Sequence, residues 1–175
     1  MTIKRKPKAY VGIDLGLNGG IAVVDERQEI LLCIPMHVND ILVNKKIKQQ
    51  YDIKQIIKTL DYLESKYSIA KVCFERLRGM PAQSSQTGFS LGYAVGLFRG
   101  LLTKMGLVYE EVEPRTWQKI MFEGINYGKE DTKIASAMVA NRLYPNWNFK
   151  KSSRAKKDHD GMTDAILIAV FISKK

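Results

Sequence analysis

Residues 11–25 constrain this chain more than any other stretch. Tyr10 to Ile13 is short and wholly apolar, the pattern of a strand buried on both faces. A single carboxylate, Asp14, interrupts it where the strand should end. Gly16, Asn18, Gly19 and Gly20 then supply a tight turn, and Ile21 to Val24 returns as a second strand. The unit is a hairpin with one acid in its central strand. A buried carboxylate is costly unless it is hydrogen-bonded, paired or bound to a cation. Asp14 is therefore either a turn-capping residue or part of a site.

Two uses of such a hairpin compete. In the sugar-kinase, actin and chaperone ATPases a similar Asp-Leu-Gly loop holds ATP phosphates, whereas in nucleases of the ribonuclease H superfamily the Asp holds a divalent metal. At 175 residues the chain makes one domain of ordinary size, spanning 1–175. The two-lobed ATPases need roughly twice that length, and no second phosphate loop follows. A nucleotide cofactor is not expected.

The formal charge of +10 and the pI near 9.6 point to a polyanionic partner, with nucleic acid favoured. A membrane is not expected: the longest apolar run, 165–172, is too short to span a bilayer. Lys4, Arg5, Lys6 and Lys8 make residues 1–8 a basic arm that leads into a strand, not into a signal-peptide apolar region. Cys33 and Cys73 lack metal or redox spacing and read as buried thiols, which suits a cytosolic protein.

Residues 29–35 read as a third strand, closing an antiparallel meander. Residues 37–50 are polar, with Lys45, Lys46 and Lys48, and are expected to be a long loop. Ile53, Ile56, Ile57, Leu60 and Leu63 carry the spacing of an amphipathic helix over 52–67. A crossover by that helix makes the next strand, 68–74, a parallel neighbour. This strand runs into Glu75, the second acid to end an apolar strand, with Arg76 and Arg78 behind it. Residues 79–81 form a loop. Residues 84–104 are expected to be helical in their second half, where Gly88, Gly92, Gly96 and Gly100 make one face flat enough for a partner helix or the sheet.

Residues 107–112 follow as a strand, and Pro114 opens a short helix carrying Arg115 and Lys119. After a loop at 127–129, residues 131–143 read as a helix with Ile134, Ala137, Met138 and Val139 towards the core. Residues 145–158 form a basic loop with Lys150, Lys151, Arg154, Lys156 and Lys157, poised over an anion. The last element is a helix apolar nearly all round from Ala165 to Ile172, opened by Asp158, Asp160 and Asp164. Asp160 and Asp164 are four apart and share a face. Capping accounts for Asp158 or Asp160, but not for Asp164, a turn inside a buried helix.

The order is thus two strand-ending acids, then a helix opened by acids. Crowded carboxylates raise one another's pKa unless a cation neutralises them. Oxygen-only ligands without a His or Cys cluster suit Mg²⁺ or Mn²⁺, and two such ions roughly 4 Å apart serve phosphodiester hydrolysis. A basic protein with this acid set reads as a metal-dependent nuclease.

Taken in order, Gly12-Ile13-Asp14, Phe74-Glu75, Pro114-Arg115-Thr116-Trp117 and Asp160-Gly161-Met162-Thr163-Asp164-Ala165 resemble the RuvC-type Holliday junction resolvases of the ribonuclease H superfamily, in their phage and poxvirus branch. The resemblance runs from Val11 to Ile172. It implies an α/β, ribonuclease H-like fold: a mixed five-stranded sheet, meander plus parallel strands, flanked by helices. It also implies a homodimer that nicks opposed strands of four-way DNA junctions symmetrically, with two Mg²⁺ ions per site for which Mn²⁺ substitutes.

The family's four acidic positions carry over to Asp14, Glu75, Asp160 and Asp164, with Asp14 bridging both ions. One departure stands out. The family's third acid, or its substitute, precedes the last Asp by three residues, and here that position is Gly161. Asp160 is the choice for the third ligand and Asp158 the alternative. Local similarity adds Lys133 and, to within one residue, Lys119 as bases near the scissile phosphate; both also read as solvent-facing helix lysines. Arg76, Arg78, Arg115, Lys150, Lys151, Arg154, Lys156 and Lys157 are the expected DNA contacts. A broader fork-trimming nuclease of a phage and a non-catalytic junction-binding protein remain alternatives.

Overall fold

The computed structural model describes residues 5–76, 84–125 and 132–175. Strands β1 (Lys8–Asp14), β2 (Gly20–Asp25) and β3 (Ile30–Pro35) form the expected meander. A hairpin of β4 (Val38–Val43) and β5 (Lys46–Tyr51) follows, then α1 (Ile53–Lys66), β6 (Ser68–Glu75), α2 (Ser85–Lys104), β7 (Tyr109–Val112), α3 (Pro114–Met121), α4 (Thr132–Leu143) and α5 (Asp160–Ser173). The main sheet has five strands in the order β3-β2-β1-β6-β7. β1 pairs antiparallel with β2 and parallel with β6, and β7 extends the parallel half. The mixed five-stranded sheet is the one expected.

Alternation along the strands builds two cores. Val11, Ile13, Ile21, Val23, Val72 and Phe74 face α1 and α2, whose Ile56, Leu60, Leu63, Phe98 and Leu102 are fully buried. Ala22, Val24 and Cys73 face the other way, towards α3, α4 and α5. Residues 165–172 of α5 are all buried, as an all-round apolar helix must be. Each such Ile, Leu or Val contributes about 1.5–3 kcal/mol relative to exposure. Both thiols, Cys33 and Cys73, are free and buried.

The small residues of β1 decide how close α5 comes. A Cβ placed on Gly12 would lie 2.2 Å from the Ala165 carbonyl oxygen and 2.3 Å from the Ala169 nitrogen. The helix therefore crosses β1 backbone to backbone at Gly12, two residues before Asp14. Because side chains repeat every second residue along a strand, Asp14 points to the same side as α5.

Several expectations need correcting. Residues 37–50 are not a loop: they carry β4 and β5, joined by a two-residue turn in which Asn44 (φ 49°) and Lys45 (φ 61°) both adopt left-handed backbone. That geometry matches the twist of a tight hairpin. Helix α2 runs the whole way from Ser85, capped by the Ser84 hydroxyl, and not only in its second half. On α4 the buried residues are Ala135, Ser136, Val139 and Ala140, whereas Ile134 and Met138 are exposed. Close packing on α5 selects the small-residue stripe over the larger apolar side chains. Lys8 belongs to β1 and not to a free arm, and the Pro7 carbonyl accepts from the Ser68 amide at 2.9 Å.

Residues 144–159 have no regular structure, matching the basic loop, although Phe149 within them is buried and its carbonyl accepts from the His159 amide. The loops expected at 79–81 and 127–129, together with Arg78 and Asp131, lie outside the described residues. Among the described residues no helix is long and apolar enough to cross a membrane.

Candidate active site

Asp14 and Glu75 end neighbouring parallel strands, one residue beyond the Ile13–Phe74 pair of the β1–β6 register. Both follow residues that face α1 and α2, so both turn to the α5 side. The Asp14 Oδ1 accepts the Gly16 amide at 3.1 Å, the Asx-type bond that lets a carboxylate close its own turn. Glu75 Oε1 accepts from the indole Nε1 of Trp117 at 2.7 Å, and Trp117 is fully buried on α3. One oxygen of Glu75 is thereby held by the core.

Helix α5 brings the other two acids. Its first turn rests on the β1–β2 turn: a Cβ on Gly161 would lie 2.3 Å from the Asn18 carbonyl oxygen and 2.3 Å from the Gly19 carbonyl carbon. A Cβ on Gly20 would in turn lie 2.5 Å from the Gly161 carbonyl oxygen. No side chain fits at 161, which explains why an acid cannot stand three residues before Asp164. Asp160, one residue earlier in the first turn of the helix, is exposed and one helical turn from Asp164. Lys133 on α4 pairs with Asp160 Oδ2 at 2.8 Å. Asp158 lies outside the helix and neither caps it nor hangs free, since its Oδ2 accepts the Asn141 amide at 2.6 Å. The N-cap position is His159, which makes no side-chain cap.

The electrostatics tie the acids into one group. Burial pushes the Asp164 carboxyl up to about 7, and the charges of Asp14, Glu75 and Asp160 add to that, against a hydrogen bond from Ser136. Burial likewise raises Asp14, where the Gly16 amide and Lys133 act in the opposite sense and Asp160 adds to the rise. Glu75 is raised by burial and by Asp14, and lowered by the Trp117 hydrogen bond. Lys133 is raised, first by its bond to Asp160 and then by the charges of Asp160, Asp164 and Asp14. Four carboxylates from three elements thus share one field. Among the described residues no three of them close around a single point as a ready-made metal cage. Like charges this near raise one another's proton affinity unless a cation neutralises them. Oxygen donors with raised proton affinities and little neutralising charge suit hard divalent cations, so the donor set fits Mg²⁺ or Mn²⁺.

The remaining expected residues are dispersed. Lys119 is exposed and two residues from Trp117, about 200° around α3, so it faces away from the side that reaches Glu75. Arg76 pairs with Glu113 at 3.5 Å, and Arg115 is exposed in the first turn of α3. Lys150, Lys151, Arg154, Lys156 and Lys157 are all exposed on the loop leading to α5. Three residues escaped the sequence reading: Trp117 and Ser136, which hold acids, and Tyr51, whose hydroxyl donates to the Leu15 carbonyl at 2.6 Å. For Trp117 the signal was present, an aromatic residue inside a motif already singled out.

Comparison of the folds places this architecture. The structure is similar to Thermus thermophilus RuvC in complex with Holliday junction substrate (TM-score 0.57, 14% identity, covering 94% of this chain and 91% of that one). It is also similar to Thermus thermophilus RuvC alone (0.52, 15%, 93% and 92%), and to the yeast mitochondrial Holliday junction resolvase Ydc2 (0.54, 12%, 98% and 80%). The chain has the RuvC-type fold. No family model matches the sequence, and neither does any curated protein. At these identities the likeness is one of backbone, and the chemistry rests on the acids themselves.

Proposed function

We propose that this protein is a divalent-metal-dependent endodeoxyribonuclease that resolves four-way DNA junctions. The observation that carries the reading is the convergence of Asp14, Glu75 and Asp164 with Asp160 at one end of a RuvC-type sheet, on a chain of net charge +10. Asp14, Glu75, Asp160 and Asp164 would hold the cations. When bound, two Mg²⁺ or Mn²⁺ ions would supply Lewis-acid chemistry for hydrolysis of a phosphodiester. The chain's own groups do the positioning. Trp117 fixes Glu75, Ser136 bonds Asp164, and the Gly16 amide fixes Asp14. Lys133 stands at the open edge of the cluster, where a phosphate would compete with Asp160 for its ammonium. The exposed lysines of 150–157 offer contacts to neighbouring phosphates.

A four-way junction has two strands to cut, so the reading includes a two-fold dimer with one site per protomer. The face of α2 supports this: among the described residues, a Cβ on Gly88, Gly92, Gly96 or Gly100 would meet nothing within 4 Å, and Phe89 beside them is 76% exposed. That face is open to a second copy. Two free, buried thiols support a reducing, cytosolic setting.

The test is a synthetic mobile four-way junction incubated with protein and Mg²⁺, with the nicks mapped on all four strands. Paired, symmetric nicks are expected, leaving 5′-phosphate and 3′-hydroxyl ends. Asp14→Asn is expected to abolish them while binding the junction at least as well as wild type. The reading fails if wild type yields no Mg²⁺-dependent product, or if Asp14→Asn cuts at the wild-type rate.

A further inference from the structure

The β4–β5 hairpin supplies no acid to the cluster, and among the described residues its two strands pair only with each other. Its base is tied to the turn that carries Asp14. Tyr51 is buried and its hydroxyl donates to Leu15, the residue after Asp14. The Met36 amide donates to the Gly19 carbonyl at 2.9 Å, and the Asp52 amide to the His37 carbonyl at 2.9 Å. Both roots of the hairpin are therefore fixed relative to the acids.

Alternation sets Val38, Leu42, Ile47 and Tyr51 on one face of the ribbon. At the base that face packs into the core. At the tip it overshoots the body: Leu42 and Ile47, directly opposite in register, are each 74% exposed. Six-residue strands reach about 20 Å from base to tip. The turn and the opposite face carry Lys45, Lys46 and Lys48, and Asp40 is the only acid on the hairpin. Beside it runs a groove of about 510 Å³, lined by Met36 to Asp40 and Gln49 on the hairpin side and by Lys151 of the basic loop.

Resting on the function proposed above, we infer that this hairpin is a DNA arm that recognises the branch point. Lys45, Lys46 and Lys48 neutralise phosphates, and the Leu42–Ile47 pair packs against base faces. A continuous duplex stacks every base face on a neighbour, whereas a branch leaves faces open to an aliphatic wedge. The charge selects DNA over a second copy of the chain, because apposing lysine-rich tips on a +10 protein would repel. The rigid base then sets the distance from the branch to the scissile phosphate.

The experiment compares full-length wild type, Leu42→Thr/Ile47→Thr and Lys45→Ala/Lys46→Ala/Lys48→Ala. Affinities are measured in EDTA for a four-way junction and a linear duplex of the same sequence, with 2-aminopurine at the branch. Thr keeps the strand preference of both positions. The Thr pair is expected to lose about tenfold or more of junction affinity, with duplex affinity, sedimentation and thermal midpoint unchanged. The fluorescence change at the branch should disappear with it. The Ala triple should weaken both substrates and flatten the log–log salt slope by up to about 2.7, or about 0.9 per phosphate contact. A Thr pair that binds the junction as wild type does, in a background where wild type prefers junctions, overturns this inference alone. A Thr pair that changes the oligomeric state makes the tip a protein contact and overturns it too. A wild type without junction preference overturns the functional reading, and the inference falls with it.

Discussion

Removing a charge from the acid cluster should make the metal-free protein more stable, and Asp164 is the place to measure it. Its carboxyl is raised from 3.8 to about 7, chiefly by burial and then by Asp14, Glu75 and Asp160. The folded protein therefore holds this proton more tightly than the unfolded chain does. The resulting stability is fully present below the unfolded value near 4 and is lost as pH rises to about 7. About three units at 1.36 kcal/mol each set a ceiling on the order of 4 kcal/mol. The side chain is half-buried, so solvent on its open side reduces this, and about 2 kcal/mol is the expected gain. Asparagine keeps the shape and an acceptor for Ser136 but does not titrate. Urea unfolding in EDTA should thus show Asp164→Asn within ~0.5 kcal/mol of wild type at pH 3 and about 2 kcal/mol more stable at pH 8. Mg²⁺ should raise the midpoint of wild type at pH 8 and leave the variant's nearly unmoved. A variant no more stable than wild type at pH 8, or an offset equal at both pH values, would refute the electrostatic account of the cluster.

Two further outcomes test how α5 delivers its acids. Asp160→Asn should stop Mg²⁺-dependent cleavage and shift stability by less than about 1 kcal/mol, because its pair with Lys133 is exposed. Asp158→Asn should cut normally, since Asp158 is bonded to Asn141; the reverse pattern in a junction-nicking assay would exchange their roles. Gly161→Ala should destabilise the protein by about 1–3 kcal/mol despite alanine's better helix propensity. Its new Cβ would stand 2.3 Å from backbone of the β1–β2 turn, and moving the helix about 1 Å would slow cleavage on the order of 100-fold. Unchanged unfolding and nicking rates would show that the turn yields freely.

The strands and their acids were legible because a carboxylate ending an apolar run has few structural explanations. Asp14 and Glu75 stand out against Val11–Ile13 and Val72–Phe74 for that reason. Helix α5 was legible because a stretch apolar on every side has to be buried. The β4–β5 hairpin was not, since its lysines and glutamines masked the alternation and its Asn44–Lys45 turn lacks the glycine that usually marks such turns. Part of the face of α4 was misread because periodicity rewards large apolar residues: Val139 is buried as expected, but Ile134 and Met138 outweighed Ala135, Ser136 and Ala140. What decides there is the room beneath α5, which is set by another part of the chain. Trp117 stood in a motif already singled out, but its partner Glu75 lies 42 residues away, so the pairing itself was not legible.

The glycine positions carry the deepest link between sequence and site. Four carboxylates that repel one another would drift apart if side-chain packing alone positioned them. Here the distances between their elements are fixed by backbone. Asp14 and Glu75 sit on adjacent hydrogen-bonded strands, and α5 touches β1 at Gly12 and the β1–β2 turn at Gly161 without an intervening side chain. Main chain in contact with main chain has no rotamers with which to relax. At Asp164 burial raises the proton affinity first, and the neighbouring charges of Asp14, Glu75 and Asp160, held in place by this backbone, add to it. The same contact bears on the proposed third ligand: position 161, against the turn, has room only for glycine, and Asp160 is the acid next to it in the first turn of the helix.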